Sequence, residues 1–232
     1  LLAVAGIILG SFVAFYLANK KGLSTKLFFD NIVFTVLFGI IGARLTYFFL
    51  YREQFSSIKE VFYLWDGGLV SYGGFVLGSL TLLILLVKQN KPVKEWFDII
   101  SIGFFLGLFI GRIGDLFAGE FNGVHSNYSI KILEIYNVVP VSLYEAILCL
   151  CIFVTMLFVY SKKKNKLISG VLTLLSIVIY SLGRFILDFW RTESSIVLGL
   201  SIGQLFGLML ALFAIFLLFR LLSKERRADE IK

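Results

Sequence analysis

The stretch Gly111-Arg112-Ile113-Gly114-Asp115-Leu116-Phe117-Ala118-Gly119-Glu120-Phe121-Asn122-Gly123 closes a long apolar run with an arginine, an aspartate and a glutamate. An ionised group near the centre of a bilayer costs about 2.5–3.5 kcal/mol on insertion scales, so Arg112, Asp115 and Glu120 are expected to face a wet cavity or one another. If Arg112 ends a helix, Asp115 lies three residues on, one turn along the same side, and the two form a polar cluster at one mouth of the membrane. Glycines at 111, 114, 119 and 123 allow tight turns and close approach to a ligand. A helix end closed by a structural ion pair fits the same residues. Ionisable groups placed in a membrane are nonetheless functional candidates by default.

The apolar runs on either side of this stretch set the fold class. The 232 residues are 59% hydrophobic and 16% charged, with a mean hydropathy of +0.92, too apolar for one soluble domain. At roughly 20 residues per crossing, the runs predict about seven transmembrane helices, over 1–18, 31–50, 69–87, 97–113, 141–160, 167–187 and 196–220. The expected fold is all-α: a single polytopic membrane domain over 1–232, with a small external segment at 114–139 between spans four and five. The ten-residue alternation of a membrane β-barrel is absent. The chain opens on Leu1-Leu2-Ala3-Val4 without the basic flank of a cleavable signal peptide, and an upstream piece is expected.

Charge placement predicts orientation, because positively charged loops stay on the cytoplasmic side. Fifteen of the 22 lysines and arginines follow odd-numbered spans: Lys20, Lys21 and Lys26; Lys88, Lys91 and Lys94; Lys162, Lys163, Lys164 and Lys166; Arg220, Lys224, Arg226, Arg227 and Lys232. The N-terminus is expected outside and the C-terminus inside. Net charge +7 is then an orientation signal and gives no ground for a nucleic-acid partner. The other basic residues, Arg44, Arg52, Lys59, Arg112, Lys131, Arg184 and Arg191, map to the external half, where arginine dominates. Guanidinium is a planar fork suited to phosphate and carboxylate. Arg44, Arg112 and Arg184 sit at the ends of spans two, four and six, and their convergence would make an anion-binding site at the outer surface.

Several local expectations follow from spacing. Asp30 is read as a cap for span two. Gly42-Ala43, ahead of Arg44, admits a close neighbouring helix, as does Gly103-x3-Gly107-x3-Gly111. In Trp65-Asp66-Gly67-Gly68-Leu69-Val70-Ser71-Tyr72-Gly73-Gly74-Phe75, two glycine pairs straddle Tyr72, which suggests irregular backbone lining a cavity; an interfacial aromatic turn is the alternative. The single histidine, His125, is read as a solvated loop residue. Pro140-Val141-Ser142-Leu143-Tyr144-Glu145 reads as a helix start with Glu145 in its first turn. Arg184 and Asp188, four apart, can pair on one helical face. Cys149 and Cys151 fall on different faces of span five and suggest packing, with neither a disulfide nor a metal site.

Taken in series, these motifs resemble the prolipoprotein diacylglyceryl transferase family of the bacterial inner membrane. The resemblance runs through Gly42-Ala43-Arg44-Leu45 with Tyr47, Gly67-Gly68-Leu69 to Gly73-Gly74, and Gly111-Arg112-x-Gly114 with Gly119-Glu120 and Gly123. It continues through Leu143-Tyr144-Glu145, Arg184-Phe185-x-x-Asp188-Phe189-x-Arg191 and Gly199-Leu200-Ser201-x-Gly203-Gln204. Each motif alone is unspecific; six in order at matching topological places are not. Departures fall on polar positions: Tyr72 stands where the family pattern has histidine, Asp115 and Ala118 where it has asparagine, and Asp188 where it has glutamate. Val139-Pro140 and Ser142 replace the family's His-Pro and Gln.

The resemblance implies transfer of a diacylglyceryl group from phosphatidylglycerol to the lipobox cysteine of a prolipoprotein, releasing glycerol phosphate. It implies a catalytic set of Arg112, Arg184, Glu120, Tyr72 and Asp188. The substrate-binding set is Arg44, Asp115, Gly123, Gly73, Gly74, Tyr144 and Glu145. No metal is implied, and no cofactor beyond phosphatidylglycerol as co-substrate; the partners are that lipid, the prolipoprotein signal peptide and membrane lipids. The cysteine reacts as thiolate, and the leaving phosphate needs preorganised donors, a task for Arg112 and Arg184, with Glu120 orienting them or the glycerol hydroxyls. The base is left open: a phenol with pKa near 10 suits Tyr72 to orienting, and Asp188 and Asp115 are paired with arginines that lower their proton affinity. A thiol polarised by two guanidinium groups could ionise without a base. The alternative is a family paralogue that binds an anionic lipid or a signal peptide without transfer.

Overall fold

Among the described residues, seven helices account for the apolar runs: α1 (Leu2–Lys21), α2 (Phe28–Leu50), α3 (Ser71–Lys88), α4 (Val93–Phe117), α5 (Val141–Lys163), α6 (Val171–Leu187) and α7 (Ile202–Glu230). Each forms a span long and apolar enough to cross a bilayer, so the chain is a multi-pass membrane protein. The computed structural model describes residues 1–64, 67–121, 123–130, 135–163, 167–192 and 199–230. Trp65, Asp66, Lys131, Lys164, Lys166, Leu198 and Lys232 lie outside the described residues.

Helix ends differ from the expected ones where local chemistry overrides hydropathy. α4 runs on to Phe117, so Arg112 and Asp115 are both helical. α7 starts at Ile202 because Ser201 and Gln204 form a capping box: Ser201 Oγ accepts the Gln204 N–H at 3.1 Å, and Gln204 Oε1 accepts the Ser201 N–H at 3.0 Å. Beyond its apolar part α7 continues through Lys224, Glu225, Arg226 and Arg227, all strong helix formers. Asp30 does not cap α2; the cap position is Leu27, at φ 62°, and Asp30 lies in the first turn, where a carboxylate favours the helix dipole. Glu145 is the fifth residue of α5 and so falls in its second turn.

The segment between α4 and α5 holds a feature the all-α expectation omitted, a two-stranded antiparallel hairpin. Strand β1 (His125–Ile130) pairs with β2 (Ile135–Val138), His125 opposite Val138 and Ile130 opposite Ile135. Tyr and Ile occur in both strands and Val in β2, residues of high β-propensity in a segment read only as external. His125 is exposed, with Nδ1 3.3 Å from the Asn137 carbonyl oxygen.

The chain packs as two compact units, Ala18–Val93 and Leu1–Leu17 with Lys94–Lys232. In the first, α2 and α3 approach through glycine. A Cβ at Gly73 would collide with Thr46 Oγ1 and the Gly42 carbonyl, and one at Gly74 would sit 3.0 Å from the Gly39 carbonyl. Gly73-Gly74 is therefore helical packing surface in place of the irregular backbone expected there, and Tyr72 stands half-buried in the first turn of α3. The irregular part is Gly67-Gly68. At the other end of this helix pair, the side-chain amides of Asn31 and Gln89 exchange hydrogen bonds of 3.0 and 2.7 Å.

In the second unit the Gly103-Gly107 stripe meets Gly10 and Gly6 of α1, as its spacing predicts. A Cβ at Gly6 would lie 2.6 Å from the Gly107 carbonyl, whereas Gly111 faces open space. Asp98, buried on α4, caps α6 across the unit: its carboxylate accepts the Gly170 N–H at 2.6 Å, the Thr173 N–H at 2.9 Å and the Thr173 hydroxyl at 2.8 Å. Orphan N–H groups at the start of a membrane helix are costly unless satisfied in this way. Both units expose large apolar side chains such as Val33, Val154, Met209 and Phe219, a surface suited to lipid.

Candidate active site

Glu145 organises the charged centre of the second unit. Placed on α5 five residues after Pro140, it is 1% exposed, at a depth where a lone carboxylate would be intolerable. Three guanidinium groups and a phenol make it tenable. Arg184 Nη1 lies 2.8 Å and Arg112 Nη2 3.0 Å from Glu145 Oε1; Arg191 Nη1 lies 3.6 Å from Oε2. Tyr180 donates its hydroxyl to Oε1 at 2.7 Å. A second layer of acid completes the cluster: Asp188 Oδ1 is 3.4 Å from Arg184 Nε and 3.7 Å from Arg191 Nη1, and Asp115 Oδ2 is 2.7 Å from Arg112 Nη1.

Local structure explains why these groups meet. Arg112 and Asp115 share the last turns of α4, and Tyr180 and Arg184 share one face of α6 at a spacing of four. At Asp188 the helix tightens into a 3₁₀ turn, Asp188–Trp190, which swings Arg191 back over the same acids. The segment leaving α4 is then stitched to both neighbours by main-chain bonds. Val124 N–H donates to the Trp190 carbonyl at 2.8 Å, Gly123 bridges Arg191, and Ser142 N–H donates to the Phe121 carbonyl at 3.3 Å. Gly123 is buried so tightly that a Cβ there would overlap the Val139 carbonyl.

The sequence-level candidates divide accordingly. Arg112, Asp115, Glu145, Arg184 and Asp188 come together in one ion network. Glu120 lies just beyond α4 and is exposed; its carbonyl accepts the Ser142 hydroxyl at 2.6 Å, and its N–H donates to the Asp115 carbonyl at 2.9 Å. Tyr144 is half-buried beside Glu145, its N–H donating to the Pro140 carbonyl at 3.2 Å. Tyr180 was not among the candidates, and Arg191 stood only among the external arginines and at the end of the Arg184–Arg191 motif, without a role. The signal for Tyr180 was its place one turn before Arg184; for Arg191 it was Asp188-x-x-Arg191 at the helix end. Cys149, one turn beyond Glu145, is fully buried, while Cys151 is exposed on the helix surface.

In the other unit, Arg44 has different work. Buried on α2, it donates to five main-chain carbonyls: Glu60 at 2.7 Å, Val61 at 2.9 Å, Tyr63 at 2.9 Å, Gly68 at 3.1 Å and Gly67. Its guanidinium also lies 5.3 Å from the Phe55 ring centroid. Gly67 and Gly68 are both in the left-handed region, φ 76° and 75°, which turns their carbonyls toward Arg44 and would strain any other residue. Arg44 is the hub on which the segment between α2 and α3 is wound.

The cluster suits anion chemistry. Each guanidinium presents five N–H donors in a fixed fork that can hold two oxygens of one phosphate. Arginines at helix ends in a water-poor setting are preorganised to stabilise an oxyanion. Fold and site thus define a polytopic membrane protein with a buried arginine–carboxylate centre at the ends of three helices. A sequence profile of the prolipoprotein diacylglyceryl transferase family matches residues 1–220. A Thermotoga petrophila protein is 33% identical over 243 residues, covering 98% of this chain and 82% of its own length. A Clostridium botulinum (strain Langeland) protein is 30% identical over 236 residues, covering 96% and 91%, and a Finegoldia magna protein 28% identical over 232 residues, covering 99% and 93%. All three are named phosphatidylglycerol–prolipoprotein diacylglyceryl transferase. The chain belongs to the prolipoprotein diacylglyceryl transferase family, a family of enzymes.

Proposed function

We propose that this chain transfers the diacylglyceryl group of phosphatidylglycerol to the lipobox cysteine thiol of prolipoproteins, at a site centred on Arg112 and Arg184. Family membership supports the reaction, and the observation that carries the site is Glu145, buried and bonded at once to Arg112, Arg184 and Tyr180. In the reaction the cysteine sulfur bonds to the terminal glyceryl carbon of the donor and the bond from that carbon to the phosphate oxygen breaks. The thiol proton is released to the product phosphate or to water. Arg112 and Arg184 grip the phosphate and stabilise the charge that gathers on the departing oxygen. Glu145 orients both, with Arg191 and Asp188 fixing Arg184 from the other side. Phosphatidylglycerol supplies both the alkyl group and its phosphate leaving group, and the scheme calls for no cofactor. Glu120 is assigned to orienting the glycerol headgroup.

On this reading the protein resides in the bacterial cytoplasmic membrane, N-terminus outside and C-terminus in the cytoplasm, with the signal peptide and its lipobox reaching the site from the outer leaflet. The excess of lysine and arginine after odd-numbered spans supports that orientation. The test is a lipobox peptide incubated with the purified chain in phosphatidylglycerol vesicles, read by mass spectrometry, beside restoration of lipoprotein maturation in cells depleted of their own enzyme. A diacylglyceryl mass shift is expected. Lipid binding with no shift would define a binding protein instead.

A further inference from the structure

Arg112 stands between two carboxylates that differ in how firmly they are held. Glu145, with a side chain 2% exposed, is bonded to Tyr180 and to Arg184 as well as to Arg112. Asp188, 1% exposed, lies between Arg184 and Arg191. Asp115 is 28% exposed, and among the described residues its carboxylate meets Arg112 alone, at 2.7 Å. The two share the last turns of α4, so making or breaking their contact requires only a change of rotamer.

Charge balance decides what happens when a phosphodiester enters. Among the described residues, the three arginines and three acids joined by these ion pairs compensate one another, and a further anion would bring uncompensated charge into a water-poor site, which is strongly disfavoured. One exchange keeps the balance: Asp115 turns to solvent and a phosphate oxygen takes its place on Arg112 Nη1. We infer that Asp115 is a resident anion that competes with the donor's phosphate for Arg112 and so sets the affinity for anionic lipid. Glu145 and Asp188 cannot play this part, because leaving their arginines would strand them in the interior. The identity of the donor rests on the transferase reading; the exchange itself needs only an anionic lipid.

The experiment uses the full chain in phosphatidylcholine vesicles doped with phosphatidylglycerol, and compares the wild type with Asp115→Asn and Asp115→Ser. Binding of phosphatidylglycerol and transfer to a lipobox peptide are measured on the same preparations. Both variants are expected to lower the apparent Kd and KM for the lipid about two- to fivefold, the order an ion pair of this partial exposure is worth, with KM moving more than kcat. Raising salt should narrow the difference between wild type and variants. If wild type transfers and neither variant shows a lower KM or Kd, the exchange is overturned and the transferase reading stands. If wild type binds the lipid and transfers nothing, the transferase reading falls, and the Kd shift alone upholds or overturns the exchange.

Discussion

A buried carboxylate shared by three guanidinium groups is the residue-scale fact with the largest consequences. Replacing Glu145 by glutamine keeps the shape and removes the charge, leaving three arginines with only Asp115 and Asp188 against them. Breaking a buried ion pair from one side costs about 3–5 kcal/mol, so Glu145→Gln is expected to lower the melting temperature sharply in detergent and to abolish transfer; a variant as stable and active as wild type would remove Glu145 from the centre. Arg184→Lys probes a different property, since lysine keeps the charge and loses the fork. Losing one preorganised oxyanion donor costs roughly 100-fold or more in turnover, and a drop of that size is expected in peptide assays with little change in melting temperature. At this scale the sequence was half legible. Arg112 with Asp115 and Arg184 with Asp188 were readable because three and four residues are one helical turn. That Arg191 and Tyr180 converge on Glu145 from another helix is a long-range fact no local spacing contains, and the shared motifs flagged Glu145 without saying what it touches.

Helices and their ends form the next level, where small residues and caps decide the packing. Gly73→Val drives a branched side chain into Thr46 and the Gly42 backbone; overpacking of this kind costs about 1–3 kcal/mol or more, and thermal unfolding should register it as loss of the Ala18–Val93 unit first. Ser201→Ala removes one arm of the capping box and is expected to cost about 1 kcal/mol, visible as earlier hydrogen exchange in the first turn of α7. The glycine stripes on α2 and α4 were legible because close approach demands small residues at fixed spacing. Asp98 was not, because its partners Gly170 and Thr173 lie more than seventy positions downstream and an isolated acid on an apolar helix gives no hint of them. The Gly67-Gly68 pair was read as irregular backbone lining a cavity; the backbone is irregular there, and its observed use is to aim carbonyls at Arg44. The hairpin β1–β2 went unread since two short strands leave a weak periodic trace beside seven long apolar runs.

For the molecule as a whole, seven helices long and apolar enough to cross a bilayer and a one-sided distribution of lysine underlie the proposed orientation. A cysteine placed at His125 should react with a membrane-impermeant maleimide added from outside, and one placed at Lys224 only after permeabilisation; the reverse pattern would invert the proposed orientation. The native Cys149 is buried and so stays silent in that experiment. Crossing number was the most legible feature of all, because hydropathy is written along the chain itself, while the division into two packed units depends on which helices touch. One feature carries a practical consequence: backbone bonds from Gly123 and Val124 to Trp190 and Arg191 lash the hairpin to the turn that holds Arg191 over its acids. On the proposed orientation, an antibody fragment gripping that hairpin from outside would pull on the charged centre without entering lipid, an inhibitory handle that lets a blocking reagent dispense with membrane permeability.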